Sequence, residues 1–308
     1  MSDYTLIEQA LELGGHVVSV TPDPTHAPFV DYAAPTEEVP PGREEDGTPT
    51  GGGTLSTVHI SPHVEYRTGA SILKAHRGGQ KDTEPIGGIR GQVKGFSDAS
   101  RRRLMQTIGG IRRDAELPYF ITLTYPENFP TPEQAKKHLD TFFKRLARAF
   151  PAHGSIWKLE PQQRGAPHFH ILTWGLQAGD PLNWFPSTWY EIAGGEDINH
   201  LHFHMGALGN QHCVQQVRSF KGVWSYASKY LGKTFEVAGW SGVWTGRYWG
   251  VVHRENIPFG ELVQEEVTTK KALEIMRYQK RFAGLKRHGK KSQTIFCDAD
   301  QWIEKIGL

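Results

Sequence analysis

The segment GSIWKLEPQQRGAPHFHILTW, which starts at position 154, constrains the fold more than any other part of the chain. Two runs rich in aromatic and aliphatic residues flank the turn-like PQQRG, a pattern typical of an antiparallel β-hairpin. A turn centred on its arginine pairs residues whose numbers sum to 328, so Glu160 faces His168 and Lys158 faces His170. Because alternate side chains of a strand share a face, both histidines and Glu160 are predicted on the same face.

These three side chains form a candidate metal site. Two imidazoles and one carboxylate on a rigid hairpin can hold a divalent ion and still leave coordination positions for a substrate. The ion that fits this pattern is Mg²⁺ or Mn²⁺ bridged to a phosphate. The alternative is a partly exposed surface feature, because His-x-His pairs are common in strands. The hairpin alone leaves both interpretations open.

The hairpin is part of a predicted β-α-β-β order. Before it, YFITLTY has the alternation of a strand, and PEQAKKHLDTFFKRLARAF carries apolar residues at helical spacing. After the less regular residues 175–215, VRSFKGVWSYASKYLGK predicts a helix and RYWGVV predicts a strand. We therefore expect an α+β protein with a central antiparallel β-sheet and flanking helices.

Composition divides the chain into four segments. Residues 1–60 hold ten acidic side chains against one arginine and are rich in Pro, Gly and Thr, so we expect them to be mostly disordered. Residues 61–118 are predicted to be a basic helical segment. Residues 119–262 form the domain that contains the hairpin, and residues 263–308 are predicted to be a basic C-terminal helix and tail.

The overall charge of +2 hides a strongly basic remainder beyond residue 60. Such a balance suits a polyanion such as DNA, although an ordinary basic surface explains it equally well. A helix with a cap around Ser97 is expected to carry several of the arginines, and the C-terminal helix the lysines. The residues predicted to bind DNA are Arg101, Arg102, Arg103, Arg112, Arg113, Lys270 and Lys271.

The segment YASKYLGK places Tyr226, Lys229, Tyr230 and Lys233 on one face of a predicted helix. A phenol is a weak nucleophile at neutral pH, but a nearby ammonium and a metal that withdraws charge from a phosphate can support its attack. The product of that attack is a phosphotyrosine. The alternative is a half-buried stripe in which the lysines extend their charged ends to solvent.

The order of FITLTYP, the segment from Glu160 through RGAPHFH, and YASKYLGK resembles the three motifs of rolling-circle replication initiators of the HUH endonuclease superfamily. The doubled Tyr-x-x-Lys pattern looks most like the two-tyrosine replication proteins of phiX-type phages and related plasmids. The resemblance covers roughly residues 96–260, so residues 1–60 lie outside it.

This resemblance implies a metal-dependent nickase and ligase in residues 119–262, with a ferredoxin-like or palm-like sheet. His168, His170 and Glu160 match the ligands of Mg²⁺ or Mn²⁺. Thr122 and Thr124 match the motif that shapes the core beside the metal. The paired nucleophiles and the basic residues beside them match Tyr226, Tyr230, Lys229 and Lys233.

The resemblance also implies partners. Single-stranded origin DNA would be cut through a covalent 5′-phosphotyrosine and then rejoined. Because GLKRHGKK departs from a phosphate-binding loop, we expect a separate helicase to unwind the duplex and a separate DNA polymerase to extend the 3′ end. With no membrane-spanning run or signal pattern, and with Cys213 and Cys297 far apart, we expect a cytoplasmic protein of a prokaryotic host.

Three alternatives remain. A transposase or mobilisation relaxase shares the chemistry. A nucleotide hydrolase of the histidine-triad type would use HLHFHM, with His200, His202 and His204, unless these histidines line a loop or are merely solvated. A DNA-binding protein without enzymatic activity would stack bases on some of its tryptophans, the candidates being Trp184, Trp189, Trp240, Trp244 and Trp249.

Overall fold

The computed structural model describes residues 15–18, 56–83, 95–177, 179–209, 212–221, 223, 246–282 and 292–307. Strands β1 to β12 span Gly15–Val18, Ser56–Ile60, His63–Arg67, Leu73–His76, Gly79–Thr83, Tyr119–Leu123, Gly154–Pro161, Pro167–Trp174, Val214–Gln216, Trp249–Val252, Leu262–Glu266 and Ser292–Cys297. Helices α1 to α6 span Asp98–Gly109, Pro132–Ala149, Pro181–Ile192, Ile198–His204, Thr269–Phe282 and Ala299–Ile306. Within these ranges, no helix is long and apolar enough to cross a bilayer.

The first sheet has the strand order β10-β7-β8-β6-β9, and every neighbouring pair is antiparallel. Its centre is the predicted hairpin, in which Glu160 pairs with His168 and Lys158 with His170. The predicted register is therefore confirmed. The α+β class with an antiparallel sheet is also confirmed.

Helices cover both faces of this sheet. On one face, α2 begins at the N-cap Thr131, whose side chain accepts a hydrogen bond from Gln134 N. Its apolar stripe and the neighbouring α3 pack on the face that carries Phe169, and the rings of Phe169 and Trp189 lie 6.0 Å apart. The opposite face, which carries His168 and His170, we call the histidine face.

Helix α1 lies against the histidine face. Its N-cap is Ser97, as the sequence predicted. Trp249 Nε1 of β10 donates a hydrogen bond to Ser100 Oγ at 2.9 Å. The ammonium of Lys158 lies 4.7 Å from the ring centre of Phe96. The start of this basic helix is therefore close to the predicted metal residues.

The second sheet has the order β1-β12-β4-β3-β11 and a smaller core of its own. Leu73 of β4 packs there with Ile275 of α5 and Trp302 of α6. Strands β2 and β5 form a separate two-stranded ribbon.

Several segments differ from their sequence interpretation. In 61–118 only α1 is an α-helix among the described residues, since three strands precede it, and the predicted C-terminal tail contains β12 and α6. The stretch 175–215 is also more regular than predicted, because α3, α4 and the start of β9 fall within it. These strands have three to six residues, too few to show a clear period. Of the acidic segment 1–60, the described parts are the strands β1 and β2.

Candidate metal centre

Glu160, His168 and His170 form a cluster at one end of the hairpin. Their potential ligand atoms all lie within 4.8 Å of one another. The cause is local, because the register sets Glu160 directly opposite His168 while His170 follows two positions later on the same face. The imidazole rings lie 4.4 Å apart and nearly perpendicular.

Glu160 is held by two partners, one on each carboxylate oxygen. His170 Nε2 lies 2.9 Å from Oε1, and Lys158 Nζ donates to Oε2 at 3.1 Å. Burial raises the pKa of Glu160, but the hydrogen bond and charge of His170 and the Lys158 ammonium outweigh it and lower the pKa to about 2. The carboxylate is therefore ionised at neutral pH. Lys158 is fully buried, and the sequence analysis gave it no role.

His168 is held by a chain of hydrogen bonds that starts in the hairpin turn. Arg164 donates to the carbonyl oxygens of Tyr125 and Pro126, and its Nε donates to Gln162 Oε1 at 3.0 Å. Gln162 Nε2 in turn lies 3.2 Å from His168 Nδ1. Because the arginine can only donate, it fixes which end of the Gln162 amide faces the histidine. Burial, with a smaller effect of His170, lowers the pKa of His168 to about 3, so the imidazole is neutral.

These residues fit a divalent ion. A metal ligand must be deprotonated, and the ionised Glu160 and the neutral His168 meet this requirement at neutral pH. Two imidazoles with one carboxylate are a mixed nitrogen and oxygen donor set, which suits Mn²⁺ better than Mg²⁺ because Mg²⁺ prefers oxygen ligands.

Arg164 is expected to position a ligand without touching the ion. Replacing it with alanine removes the donor that orients Gln162, and we expect Mn²⁺ affinity to fall by about 10- to 100-fold, as is typical of such supporting residues. Isothermal titration with Mn²⁺ measures the change. The matched control is Gln163→Ala, an exposed neighbour in the same turn. Equal affinities for Arg164→Ala and wild type would contradict this role.

Strand β6 supports the other histidine. Thr122 Oγ1 lies 3.4 Å from His170 Nδ1, and the Phe120 ring stacks on the imidazole at 5.4 Å. Thr124 instead contacts α4, since its backbone N–H donates to His204 Nε2 at 3.2 Å and its carbonyl oxygen is 3.0 Å from His200 Nε2. Both threonines thus lie where the resemblance implied, beside the cluster.

The histidines of HLHFHM lie on helix α4. His200 and His204 are buried at 6% and 2% exposure and bind backbone atoms, whereas His202 is exposed. They therefore neither alternate along a strand, as the histidine-triad interpretation requires, nor are they merely solvated, with the exception of His202. The signal in the sequence was their i, i+4 spacing, which places both on one side of a helix.

His204 is expected to make the fold sensitive to acid. Burial lowers its pKa to about 4, whereas an unfolded histidine titrates near 6.5. Between these values the unfolded chain binds the extra proton, so the free energy of unfolding falls as the pH drops from about 6.5 to about 4, by at most about 3 kcal/mol for this group. Urea unfolding of His204→Gln should show a shallower pH dependence than wild type. The exposed His202→Gln is the control, and equal slopes for His204→Gln and wild type would contradict the assignment.

Two of the predicted DNA-binding residues have intramolecular roles. Arg113 makes an ion pair and hydrogen bonds with Asp298 and also pairs with Asp300 at 3.2 Å. Lys271 Nζ donates to Ile306 O at the end of α6. Both side chains thus tie parts of the structure together, which the sequence could not show because their partners lie far along the chain.

The remaining candidates are on α1, in the segment after it, and on α5. Arg101 is an ion-pair partner of Asp98 at 3.6 Å, and Arg112 of Asp114 at 3.5 Å. Arg103 and Lys270 are exposed, and Arg102 is half-buried. The tyrosine segment lies outside the described residues, with Tyr226, Lys229, Tyr230 and Lys233.

The candidate tryptophans that the structure describes do not offer rings for base stacking. Trp189 is fully buried and Trp249 is 9% exposed, both in the larger core. Trp184 packs against Phe150 with ring centres 5.3 Å apart. Trp240 and Trp244 lie outside the described residues.

The fold and the cluster define an α+β protein whose antiparallel sheet carries a two-histidine, one-carboxylate site on a hairpin. Residues 118–235 match the family model of the replication-associated protein ORF2. The chain is also 27% identical over 175 residues to a protein of Xylella fastidiosa (strain 9a5c) named "Putative replication protein". That alignment covers 52% of this chain and 57% of the relative, so the chain spans little more than half of the relative's length. No solved structure matches the chain.

The family model and the relative together support a replication initiator. The matched range includes the hairpin and the segment YASKYLGK, so both parts of the predicted site belong to the region of similarity.

Proposed function

We propose that this chain is a rolling-circle replication initiator of the HUH type, which nicks single-stranded origin DNA and rejoins it. The observation that carries the proposal is the convergence of Glu160, His168 and His170 within 4.8 Å on the hairpin. Support comes from the similarity to replication-associated proteins over residues 118–235.

In this proposal Glu160, His168 and His170 hold Mn²⁺ or Mg²⁺. When bound, the ion would withdraw charge from the scissile phosphate and orient it. Lys158 and Gln162 keep the carboxylate and His168 in position. Thr122 and Phe120 do the same for His170.

The proposed nucleophile is Tyr226 or Tyr230. The phenol oxygen attacks the phosphorus and forms a new P–O bond, while the bond to the 3′ oxygen breaks. The phenol proton leaves, and the departing 3′ oxygen takes up a proton. The products are a 5′-phosphotyrosine and a 3′-OH that a polymerase can extend, with Lys229 and Lys233 stabilising negative charge near the phenols. Attack of a 3′-OH on the phosphotyrosine reverses these bond changes and rejoins the strand.

The basic residues around the site are proposed to hold the DNA backbone. Helix α1 lies on the histidine face, so Arg101, Arg102 and Arg103 are close enough to the hairpin to contact a strand bound there. Contacts to phosphates position a strand without reading its sequence. Arg112 and Lys270 are proposed to contribute more distant contacts of the same kind.

A transposase or a mobilisation relaxase is the second candidate, since either would use the same site. The order of the motifs favours an initiator, because the tyrosines follow the histidines in this chain, whereas relaxases carry an N-terminal tyrosine.

The test is a cleavage assay on single-stranded and supercoiled DNA that carries the origin. We expect a nick and a covalent protein–DNA complex with Mn²⁺ or Mg²⁺, and neither product with EDTA. DNA binding without cleavage would favour a DNA-binding protein, and nucleotide hydrolysis without a covalent complex would favour a histidine-triad hydrolase. Either result would contradict the proposal.

A further inference from the structure

A second basic site lies away from the metal cluster, in a cleft of about 460 Å³. Its lining combines Arg67 at the end of β3 with Arg254, Glu255 and Phe259 from the connection between β10 and β11. This connection runs from the first sheet to the second, so residues next to both sheets form the cleft.

One aromatic ring organises both arginines. The guanidinium carbon of Arg254 lies 4.5 Å from the ring centre of Phe259, and that of Arg67 lies 5.5 Å from the same ring. Arg67 Nη1 also donates to Gly260 O at 2.6 Å. Phe259 thus holds two planar groups of like charge side by side.

This arrangement has an electrostatic cost. Burial lowers the pKa of Arg67, and the charge of Arg254 lowers it further. Two cations around one ring repel each other, and Glu255 is the acidic residue among those that line the cleft. A bound anion would relieve the repulsion, and the guanidinium fork matches the geometry of a phosphate group.

The backbone before Arg254 is strained. His253 adopts φ 47° and ψ 62°, in the left-handed region, and among the described residues it is the only non-glycine residue with positive φ. Such a conformation costs free energy and is often kept where it places a functional side chain. Here it ends β10 and starts the short 3₁₀ helix that carries Arg254.

The cleft lies at the opposite end of the sheet from the metal cluster. Val252 of β10 pairs with Ser155 of β7, and Arg254 follows two residues later. Glu160 is five positions further along β7, so the two sites are about 17 Å apart or more. That separation corresponds to about five nucleotides of a DNA strand.

We propose that Arg67 and Arg254 bind a backbone phosphate of the DNA strand at a position several nucleotides from the scissile bond. The inference rests on the proposed function for its ligand, since a replication initiator binds DNA. The cleft would anchor the strand while the hairpin acts on it.

The test measures binding of a fluorescent oligothymidylate of about 30 nucleotides at several salt concentrations, with EDTA present so that no cleavage occurs. We expect Arg254→Gln to weaken binding about tenfold, the effect of losing one charged hydrogen-bonded contact. The slope of log affinity against log salt should become shallower by about 0.7, the value for one phosphate of a single strand. Arg67→Lys should change both quantities in the same direction, because it keeps the charge but loses the planar fork.

The matched control is Arg145→Gln, which removes the same charge from an exposed pair with Glu191 on α2. An equal change in Arg254→Gln and Arg145→Gln, or none in Arg254→Gln, would overturn the proposal. Titration with dATP tests the other source of a phosphate. Loss of dATP binding in Arg254→Gln with unchanged oligonucleotide binding would show a nucleotide site and overturn the DNA assignment.

The same substitution in a His168→Ala/His170→Ala background separates this inference from the proposed function. The loss of DNA affinity should persist there, because the cleft does not need the metal site. A chain that fails to nick but shows the Arg254 effect would contradict the nickase alone, and a chain that nicks without this effect would contradict the cleft alone.

Discussion

Replacing His168 and His170 together with alanine is expected to abolish Mn²⁺ binding and to lower the rate of nicking by at least about 1000-fold. The reason is that a bound ion contributes several kcal/mol to stabilising charge on a phosphate, and each 1.4 kcal/mol changes the rate about tenfold. Isothermal titration measures the first effect, and single-turnover cleavage of labelled origin DNA measures the second.

The control for this variant is His202→Ala, which removes an exposed histidine from α4 and should leave metal binding and cleavage unchanged. Because His170 is buried at 2% exposure, its loss also affects packing, so circular dichroism and thermal unfolding must first show that the variant is folded. A folded double variant that nicks at the wild-type rate would exclude the cluster as the metal site.

The tyrosines provide the second large effect. Tyr226→Phe and Tyr230→Phe should each retain some cleavage in a single turnover but lose repeated release of circles, and the double variant should form no covalent complex. One helical turn would hold the two Cα atoms about 6 Å apart, near enough for both phenols to reach one phosphate in turn. One tyrosine would hold the 5′ end while the other cuts the regenerated origin, so the bond energy is conserved.

Tyr278→Phe on α5 is the matched control, because this tyrosine is exposed and belongs to neither motif. Single-turnover and multiple-turnover assays on each variant distinguish two nucleophiles from one. Full activity of one phenylalanine variant and complete loss in the other would establish a single nucleophile, with the second tyrosine only packing beside it.

The sequence was sufficient for the hairpin and its register. Regular alternation and a short turn fix the pairing, so the position of Glu160 opposite His168 followed from counting residues. The helices α1 and α2 were equally predictable, because each begins with a capping side chain and continues with regular apolar spacing.

The support around the cluster was not predictable in the same way. Gln162 and Arg164 act through hydrogen bonds that depend on the conformation of the turn, and Arg164 reaches backbone oxygens 38 and 39 positions away. His204 contacts Thr124 across 80 positions. The partners of such contacts are set by how the elements pack and leave no local pattern. Lys158 is an exception, since its i, i+2 spacing from Glu160 already placed both on one face.

The second sheet was missed for a related reason. Its neighbours β3, β4, β11 and β12 come from both ends of the described chain, and they are short. Their pairing creates a small core that a local interpretation of residues 61–118 as helical did not foresee. The same packing brings Arg67 next to Arg254, which are 187 positions apart in the sequence.

The most direct test of the account is to map the covalent attachment site in the wild-type protein. Purified protein is incubated with Mn²⁺ and labelled single-stranded origin DNA, denatured and digested, and the DNA-linked peptide is sequenced by mass spectrometry. We predict a 5′-phosphate ester on Tyr226 or Tyr230, formed with Mn²⁺ and absent with EDTA. Attachment at another residue, or cleavage that leaves no covalent DNA–protein link, would contradict the proposed mechanism.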